Sequence, residues 1–482
     1  MSIQPVLQGT FSFFQNLPVV VETTAVQLSS DAGLLAFREF DDKVGLTFGF
    51  AAVLDDRRDP DLLEHSLLEM SRSRIFGILA DYVDQNDHDT LRSDPVFKLI
   101  ANRSPDAPDL ASQPTLSRFE NSINIHSLKR LREQFVEQFI ASFVVPPRHL
   151  TFDLDAIDDP AHGAQQLVLF HGYFEQYQYF PSFITSADND QVVVLSLRHG
   201  TATAALGADD DLEFLTQRLR RAWPDVRICV RGDAGYGTPK MYDVCERLNI
   251  DYLFGLAANK RLQRASDALL AEAVRQFEET GTPQRLFEAF WYQAGPWPHA
   301  RWVIVKAEAN VQGTNRRFIV TNRAGAQVLP EAAYDDYVQR GEGENRNKEL
   351  KCGLQIDRTS DHRFMANYFR LYLHTAAFNL LVRFRQAMAL PPAPKPTPDV
   401  PPEAFTEPER RHHLRRCRQR DPLVQAQPCT WRSLLIKVAA EISVSVRRIV
   451  VRLSAHWPNL EYFQRVVQSL ATIPSVPIPS TS

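Results

Sequence analysis

Apolar residues recur every three or four positions over residues 60–83 (PDLLEHSLLEMSRSRIFGILADYV) and 127–145 (SLKRLREQFVEQFIASFVV), a spacing that predicts two amphipathic helices. Between them, SQPTLSRFENSI (112–123) predicts a short helix opened by Ser112 or Thr115, with Leu116 and Phe119 on one face. From residue 147 the period changes to two. In RHLTFDLDAID (148–158), Leu150, Phe152 and Leu154 alternate with Thr151, Asp153 and Asp155, which predicts a strand. Further strands are expected over 166–174, 179–186 and 192–198, then a helix over 211–223 with Leu212, Leu215, Leu219 and Ala222 on one face. The strand VRICVRGD (226–233) follows. Thr238 as cap and Pro239 at the first position then open a helix, and DYLFGL (251–256) closes the series. Strands in succession, then alternating with helices, describe a mixed α/β sheet.

Residues 263–333 interrupt this pattern with aromatic-rich strands at 285–294, 299–309 and 316–324, expected as a β-rich insertion. Helical spacing resumes near 330, and the segment 363–390 is apolar around most of its circumference, as a buried helix is. A proline-rich linker (390–405) precedes ERRHHLRRCRQR (409–420), with its six arginines. Residues 403–452 hold eleven Lys/Arg against five Asp/Glu, and 431–457 read as helix. The expected division is a mostly helical region (1–146), a mixed α/β domain (147–390) carrying the insertion (263–333), a linker (391–408) and a basic helical C-terminal region (409–482).

Composition changes this picture little. A chain of 482 residues exceeds one ordinary core, and 44% hydrophobic with 23% charged residues is the balance of a soluble globular protein. The formal charge of −4 leaves nucleic acid open as a partner, because only a local basic face is needed. Five scattered cysteines favour a reducing compartment over a disulfide framework. The first 37 residues contain no Lys or Arg to flank a signal peptide, and no stretch approaches a membrane span, so a cytoplasmic protein without a membrane partner is expected. His412, His413, Cys417 and Cys429 lack a zinc-ligand spacing.

Two acids fall where a sheet would present them together: Asp155 at the end of the first strand, and Asp233 just past the strand 226–231, where Gly232 and AGYG (234–237) permit a sharp turn. Taken alone, acids at strand ends are common, and a solvated turn accounts for them equally well. The third element is YVQRGEGENRNKELK (337–351). Tyr337, Arg340, Glu344 and Lys351 stand at i, i+3, i+7 and i+14, one stripe of a helix, although Gly341 and Gly343 each weaken that helix by about 1 kcal/mol. A charged, solvated face with an i,i+4 pair between Arg340 and Glu344 is the plainer reading. Carboxylates converging from separate elements are what phosphodiester cleavage with divalent ions about 4 Å apart requires, and hard oxygen ligands suit Mg²⁺. The short helix at 112–123, read as the second helix of a helix-turn-helix, would present Ser117, Arg118 and Asn121 to DNA; an ordinary surface helix has the same pattern.

The spacing Y-(2)-R-(3)-E-(6)-K at Tyr337, Arg340, Glu344 and Lys351 resembles the signature of one group of DDE transposases of bacterial insertion sequences. FDLDAIDDPAHG (152–163) and VRGDAGYG (230–237) resemble that family's two aspartate motifs, and DAGLLAFREFDDKVGL (31–46), NDHDTLRSDP (86–95) and LASQPTLSRFENS (110–122) resemble the amino-terminal region of one subfamily. The resemblance implies an RNase H-like fold: a mixed five-stranded sheet flanked by helices, with a β-rich insertion, a helical N-terminal domain and a C-terminal helical extension. It implies Asp155, Asp233 and Glu344 as catalytic, metal-binding carboxylates, with Tyr337, Arg340 and Lys351 against DNA. It further implies two Mg²⁺ ions, replaceable by Mn²⁺, double-stranded DNA (transposon ends and target) as partner, and a homodimer on DNA. The first motif also offers Asp153, Asp158 and Asp159, and Ile157 stands where the family usually has Thr; Asp155 is preferred because the strand ends beside it. A catalytically silent DNA-binding derivative, or an RNase H-like nuclease without strand transfer, are the alternatives. The tripeptide DLD (153–155) as a glycosyltransferase D-x-D is too short a motif to compete.

Overall fold

The computed structural model describes residues 8–11, 17, 19–161, 163–324, 328–389, 423 and 426–474. An eight-stranded mixed sheet forms its centre. Its strands are β1 (His149–Ala156), β2 (Ser182–Ser186), β3 (Val192–Ser196), β4 (Arg227–Gly232), β5 (Asp251–Leu256), β6 (Gln284–Tyr292), β7 (Arg301–Asn310) and β8 (Gly313–Thr321). Their order is β6-β7-β8-β5-β4-β1-β2-β3. β1, β4 and β5 run parallel, while β2 and β3 on one side and β8, β7 and β6 on the other pair antiparallel. Five of the strands expected from the sequence are present as neighbours in the order β3-β2-β1-β4-β5, and the strands of the insertion extend the sheet beyond them. β8 pairs along β5 from Leu253↔Thr321 to Leu256↔Phe318, covering an edge that would otherwise expose unpaired backbone. The insertion also contains a helix, Asp267–Thr280, whose Ala273 packs on Ala307 and Ala309 of β7.

Both faces of the sheet are covered, which explains why β2, β3 and β5 are largely buried along their length. Leu150, Phe152, Leu154, Val230 and Phe254 share a core with Leu212, Leu215 and Leu219 of the helix Ala208–Ala222, and with Met241, Val244 and Cys245 of Pro239–Arg247. Thr238 caps the latter by accepting from the Met241 amide, with Pro239 following, as the sequence predicts. On the opposite face Cys229, Leu253, Ile304 and Ile319 meet Ala333 and Tyr334 of Pro330–Val338.

The helical N-terminal part contains α1 (Leu67–Leu79), α2 (Gln113–Ser122) and α3 (Ile125–Ala141), and the buried helix expected near 363–390 is α4 (Phe364–Met388). One core runs from Ala32 through Phe76 and Phe119 to Phe369, Phe384 and Trp431, across the boundary expected at 146/147. Glu120 on α2, fully buried, joins Arg74 on α1 (2.8 Å) to Arg370 on α4 (2.6 Å). A buried acid held between two guanidiniums fixes three helices at one point.

Two expectations are corrected. The segment 166–174 is not a strand of the central sheet. Its Leu169–His171 pairs with Gln176–Tyr179 in a separate three-stranded sheet with Asp159–Pro160, because the chain reverses at 172–175, where Glu175 takes φ 53°. The C-terminal extension is not all helix either. After helical turns over Pro428–Trp431 and Arg432–Ile436, Ala440–Ser445 and Arg448–Leu453 form a hairpin whose first strand pairs with Gln27–Ser29, and a longer helix follows at Leu460–Thr472. The run ISVSVRRIVV (442–451) is rich in β-branched residues, which favour the pleated conformation once a partner strand is at hand. The proline-rich linker and the arginine-rich stretch 409–420 lie outside the described residues. Among the described residues no helix is long and apolar enough to cross a membrane.

Candidate active site

The parallel register of β1 and β4 places Leu154 opposite Gly232, so the residues that follow each, Asp155 and Asp233, emerge side by side at the same edge of the sheet. Asp233 begins a tight turn and its Oδ1 accepts from the Gly235 amide at 2.8 Å. The turn packs directly on Gly255 of β5. A Cβ there would stand 2.8 Å from the Ala234 nitrogen and 2.9 Å from the Tyr337 hydroxyl, so only glycine lets β5, the Asp233 turn and Tyr337 meet.

The third acid arrives on α6 (Gly341–Lys348), numbering Pro330–Val338 as α5. The expected single stripe is broken: Tyr337 lies in the last turn of α5, Gln339 and Arg340 form a turn, Glu344 lies in α6, and Lys351 lies in a widened helical turn over Glu349–Gly353. The glycines at 341 and 343 weaken the helix where the break occurs. Gly343 is also the contact with the sheet, since a Cβ there would lie 3.1 Å from the Asp153 Cβ. One turn past Glu344, Asn347 donates from Nδ2 to Asp155 Oδ2 at 2.5 Å, while Asp155 Oδ1 accepts from the Ala156 amide at 2.9 Å.

The four acids of the first motif are separated by their partners. Asp153 is buried and held in a two-pronged pair by Arg231 of β4 (2.7 and 2.9 Å), which also reaches the Asp336 carbonyl of α5 at 2.9 Å. Asp158 pairs with Lys351 at 2.7 Å, and Asp159 is buried against the Thr359 hydroxyl at 2.9 Å. Among the described residues Asp155 and Asp159 carry no cation in direct contact, and of these two Asp159 is buried on Thr359 while Asp155 stands beside Asp233. Burial pushes the Asp155 carboxyl up to about 6; the neighbouring charges of Asp233 and Glu344 add to this, and the Ala156 amide and Arg340 oppose it. Asp158 moves the other way, because the hydrogen bond and charge of Lys351 together outweigh its burial.

Arg340 is the hub of the group. Its charge is felt by Asp155, Asp233, Glu344 and Tyr337 together, and its Nη2 pairs with Glu344 at 2.7 Å. Glu344 is largely exposed and turned to that guanidinium, and among the described residues no three His, Cys, Asp or Glu side chains stand close enough as placed to hold an ion. The donor set nevertheless suits a hard divalent cation: three carboxylates, no thiol or imidazole, and a mutual repulsion that two positive charges would relieve. Holding it requires Glu344 to leave Arg340.

Lys351, expected to face DNA, donates to the Asp158 carboxylate and to its carbonyl at 2.9 Å. On α2, Arg118 is exposed with Nη2 on the Thr115 hydroxyl at 3.0 Å, whereas the Asn121 amide is engaged by Asp361 at 2.8 Å and by the Ser117 carbonyl at 3.0 Å. The structure thus brings Asp155, Asp233, Glu344, Arg340 and Tyr337 together, sets Lys351 beside the first motif, and gives Arg118 and Asn121 no link to this group. Sequence reasoning missed Asn347. Its position three residues after Glu344, on the same helical face, is the signal that could have found it. It also missed that the buried Tyr236 hydroxyl lies in the field of Asp155 and Asp233 without a hydrogen-bond partner among the described residues.

The raised value of Asp155 has a consequence for stability. An acid whose folded value exceeds its ordinary 3.8 favours the folded chain below 3.8 and loses that contribution as pH rises through about 6. A gap of that size corresponds to about 3 kcal/mol. In a chelator, Asp155→Asn is therefore expected to be more stable than the parent at pH 7.5 by about 1–3 kcal/mol, with the advantage shrinking toward pH 4. Urea midpoints at the two pH values measure this, and equal midpoints for both proteins would show that Asp155 is not strained.

A family model described as Transposase DDE domain, group 1, matches residues 11–394. No curated protein matches the sequence. Among solved structures, the chain is similar to the piggyBac transposase in a synaptic complex with hairpin DNA, at 12% identity and a TM-score of 0.39, covering 99% of this chain and 89% of that one.

Proposed function

Since the chain belongs to the DDE transposase family, we propose that it is a metal-dependent DNA transposase that cleaves at the terminal repeats of an insertion sequence and joins the freed 3′-OH ends to target DNA. The observation that carries this reading is the convergence of Asp155, Asp233 and Glu344, from three separate elements, on the field of one arginine. The order β3-β2-β1-β4-β5, antiparallel on one side of β1 and parallel on the other, supports an RNase H-like core for 147–390.

In this reading Asp155, Asp233 and Glu344 hold two Mg²⁺ ions, with Mn²⁺ as a substitute. Bound there, such ions would polarise a phosphodiester and lower the pKa of the nucleophile, water for cleavage and the freed 3′-OH for joining. The chain's own residues do the rest. Asp155 is fixed by two hydrogen bonds, so its carboxylate is presented in one orientation. Arg340, once Glu344 turns to a cation, is released to take a phosphate with its planar fork. Lys351 exchanges Asp158 for a second phosphate, and the half-buried Tyr337 ring borders the same strand. Double-stranded DNA is the partner, with a homodimer handling both ends. The N-terminal helices, with Arg118 the exposed candidate, contact the terminal repeats, and the arginines of 410–420 hold phosphates.

The test incubates the purified chain with duplexes taken from either flank of its own gene, a target plasmid, and Mg²⁺ or Mn²⁺. Cleavage at repeat boundaries followed by joining is expected. Cleavage without joining indicates a nuclease, binding without cleavage a silent derivative, and cleavage that persists in chelator overturns the metal-dependent reading. In the same assay Arg340→Ala and Lys351→Ala are expected to fold normally and lose cleavage by about 10²-fold, the scale of a lost transition-state contact, while affinity for the duplex falls much less. Equal losses in affinity and rate would show that the two cations only hold DNA in place.

A further inference from the structure

Asn347 is an unusual residue for its place. It lies inside a helix, a position its type disfavours, and it is more than nine-tenths buried. Its Nδ2 donates to Asp155 Oδ2, and its Oδ1 is buried without a hydrogen-bond partner among the described residues. The amide cannot be reversed, because that would set its oxygen against the Asp155 carboxylate. It therefore keeps an acceptor for which the described residues supply no donor. It also sits three residues after Glu344, so one helical face carries both an acid of the triad and the side chain that grips another acid of the triad.

Resting on the reading above, we propose that Asn347 is a positioning residue of the cation site: it holds the Asp155 carboxylate in its ligating orientation, ties that orientation to the helix bearing Glu344, and offers Oδ1 to a water of the cation's hydration shell. Partners of this kind orient the ligands of a metal site, and losing one typically weakens the site by about 10–100-fold. Mg²⁺ and Mn²⁺ retain several waters when bound to carboxylates, and such waters are strong donors. Nothing in the role depends on touching DNA, so it can be measured without DNA.

The experiment titrates the full chain with Mn²⁺ in the absence of DNA, following the loss of the free-ion paramagnetic resonance signal, for the parent, Asn347→Leu, Asn347→Ser and Asp233→Asn. Thermal unfolding in chelator reports folding separately. Both Asn347 variants are expected to bind Mn²⁺ about 10–100-fold more weakly while unfolding in chelator at the parent's temperature. Unchanged affinity in an Asn347 variant, alongside a loss in Asp233→Asn, overturns the positioning role and leaves the transposase reading standing. Unchanged affinity in Asp233→Asn overturns the carboxylate site itself and this inference with it. If Leu fails to fold, Ser decides. If both unfold in chelator, Asn347 is a packing residue and the proposal is wrong.

Discussion

Replacing Asp155, Asp233 or Glu344 singly by alanine, or by the matching amide, is expected to lower DNA cleavage by on the order of 10³-fold or more, because several kcal/mol of transition-state stabilisation pass through the groups these acids hold. Binding to the same duplex should change little, since none of the three attracts phosphate. The comparison that makes this result informative lies within the first motif. Asp153 is bound on both oxygens by Arg231, and Asp159 is buried on a threonine hydroxyl. Asp158 is neutralised by Lys351. Asp158→Asn is therefore expected to cleave nearly as the parent does, while Asp155→Asn is not. Single-turnover cleavage of a labelled duplex at fixed Mn²⁺ separates them, with duplex affinity measured in Ca²⁺. The opposite ranking would move the first catalytic acid from Asp155 to Asp158.

The largest stability effect is expected from Arg231→Met. The Arg231 side chain is 3% exposed and that of Asp153 5%, so removing the guanidinium strands a carboxylate between β1, β4 and α5. An uncompensated buried charge costs about 3–5 kcal/mol, far more than the pair itself contributes. The double variant Arg231→Met with Asp153→Leu is expected to recover most of that loss, since well-packed apolar residues often replace a buried ion pair at little cost. Urea midpoints of the parent, both single variants and the double variant measure the coupling. A loss below about 1 kcal/mol in Arg231→Met would show that water reaches Asp153, and the argument that Asp153 is structural would fall with it. The same network steadies the site: Arg231 grips the strand that carries Asp155, lies on the strand that leads to Asp233, and meets the helix that carries Tyr337.

By itself the sequence determined what depends on neighbours a few residues apart. The alternation of Leu150, Phe152 and Leu154 with Thr151, Asp153 and Asp155 encodes a strand with one apolar face, and that strand is observed over His149–Ala156. Thr238 and Pro239 mark a helix start that is found where they stand, and the spacing from Tyr337 to Lys351 carried the family resemblance that the family model bears out. Periodicity says which side of an element is buried, but not what it is buried against. For that reason the strands of 440–453 were hidden in an apolar spacing that a helix also satisfies; the pairing with Gln27–Ser29, at the far end of the chain, makes them strands. For the same reason four aspartates within 153–159 looked alike. Arg231, Lys351 and Thr359 claim three of them from distant elements, leaving Asp155 beside Asp233, with Glu344 held by Arg340 and Asn347 reaching back across the gap. Charges and hydrogen bonds act over a few ångströms of space regardless of the number of residues between them, so the fate of each carboxylate was decided only when the chain had folded.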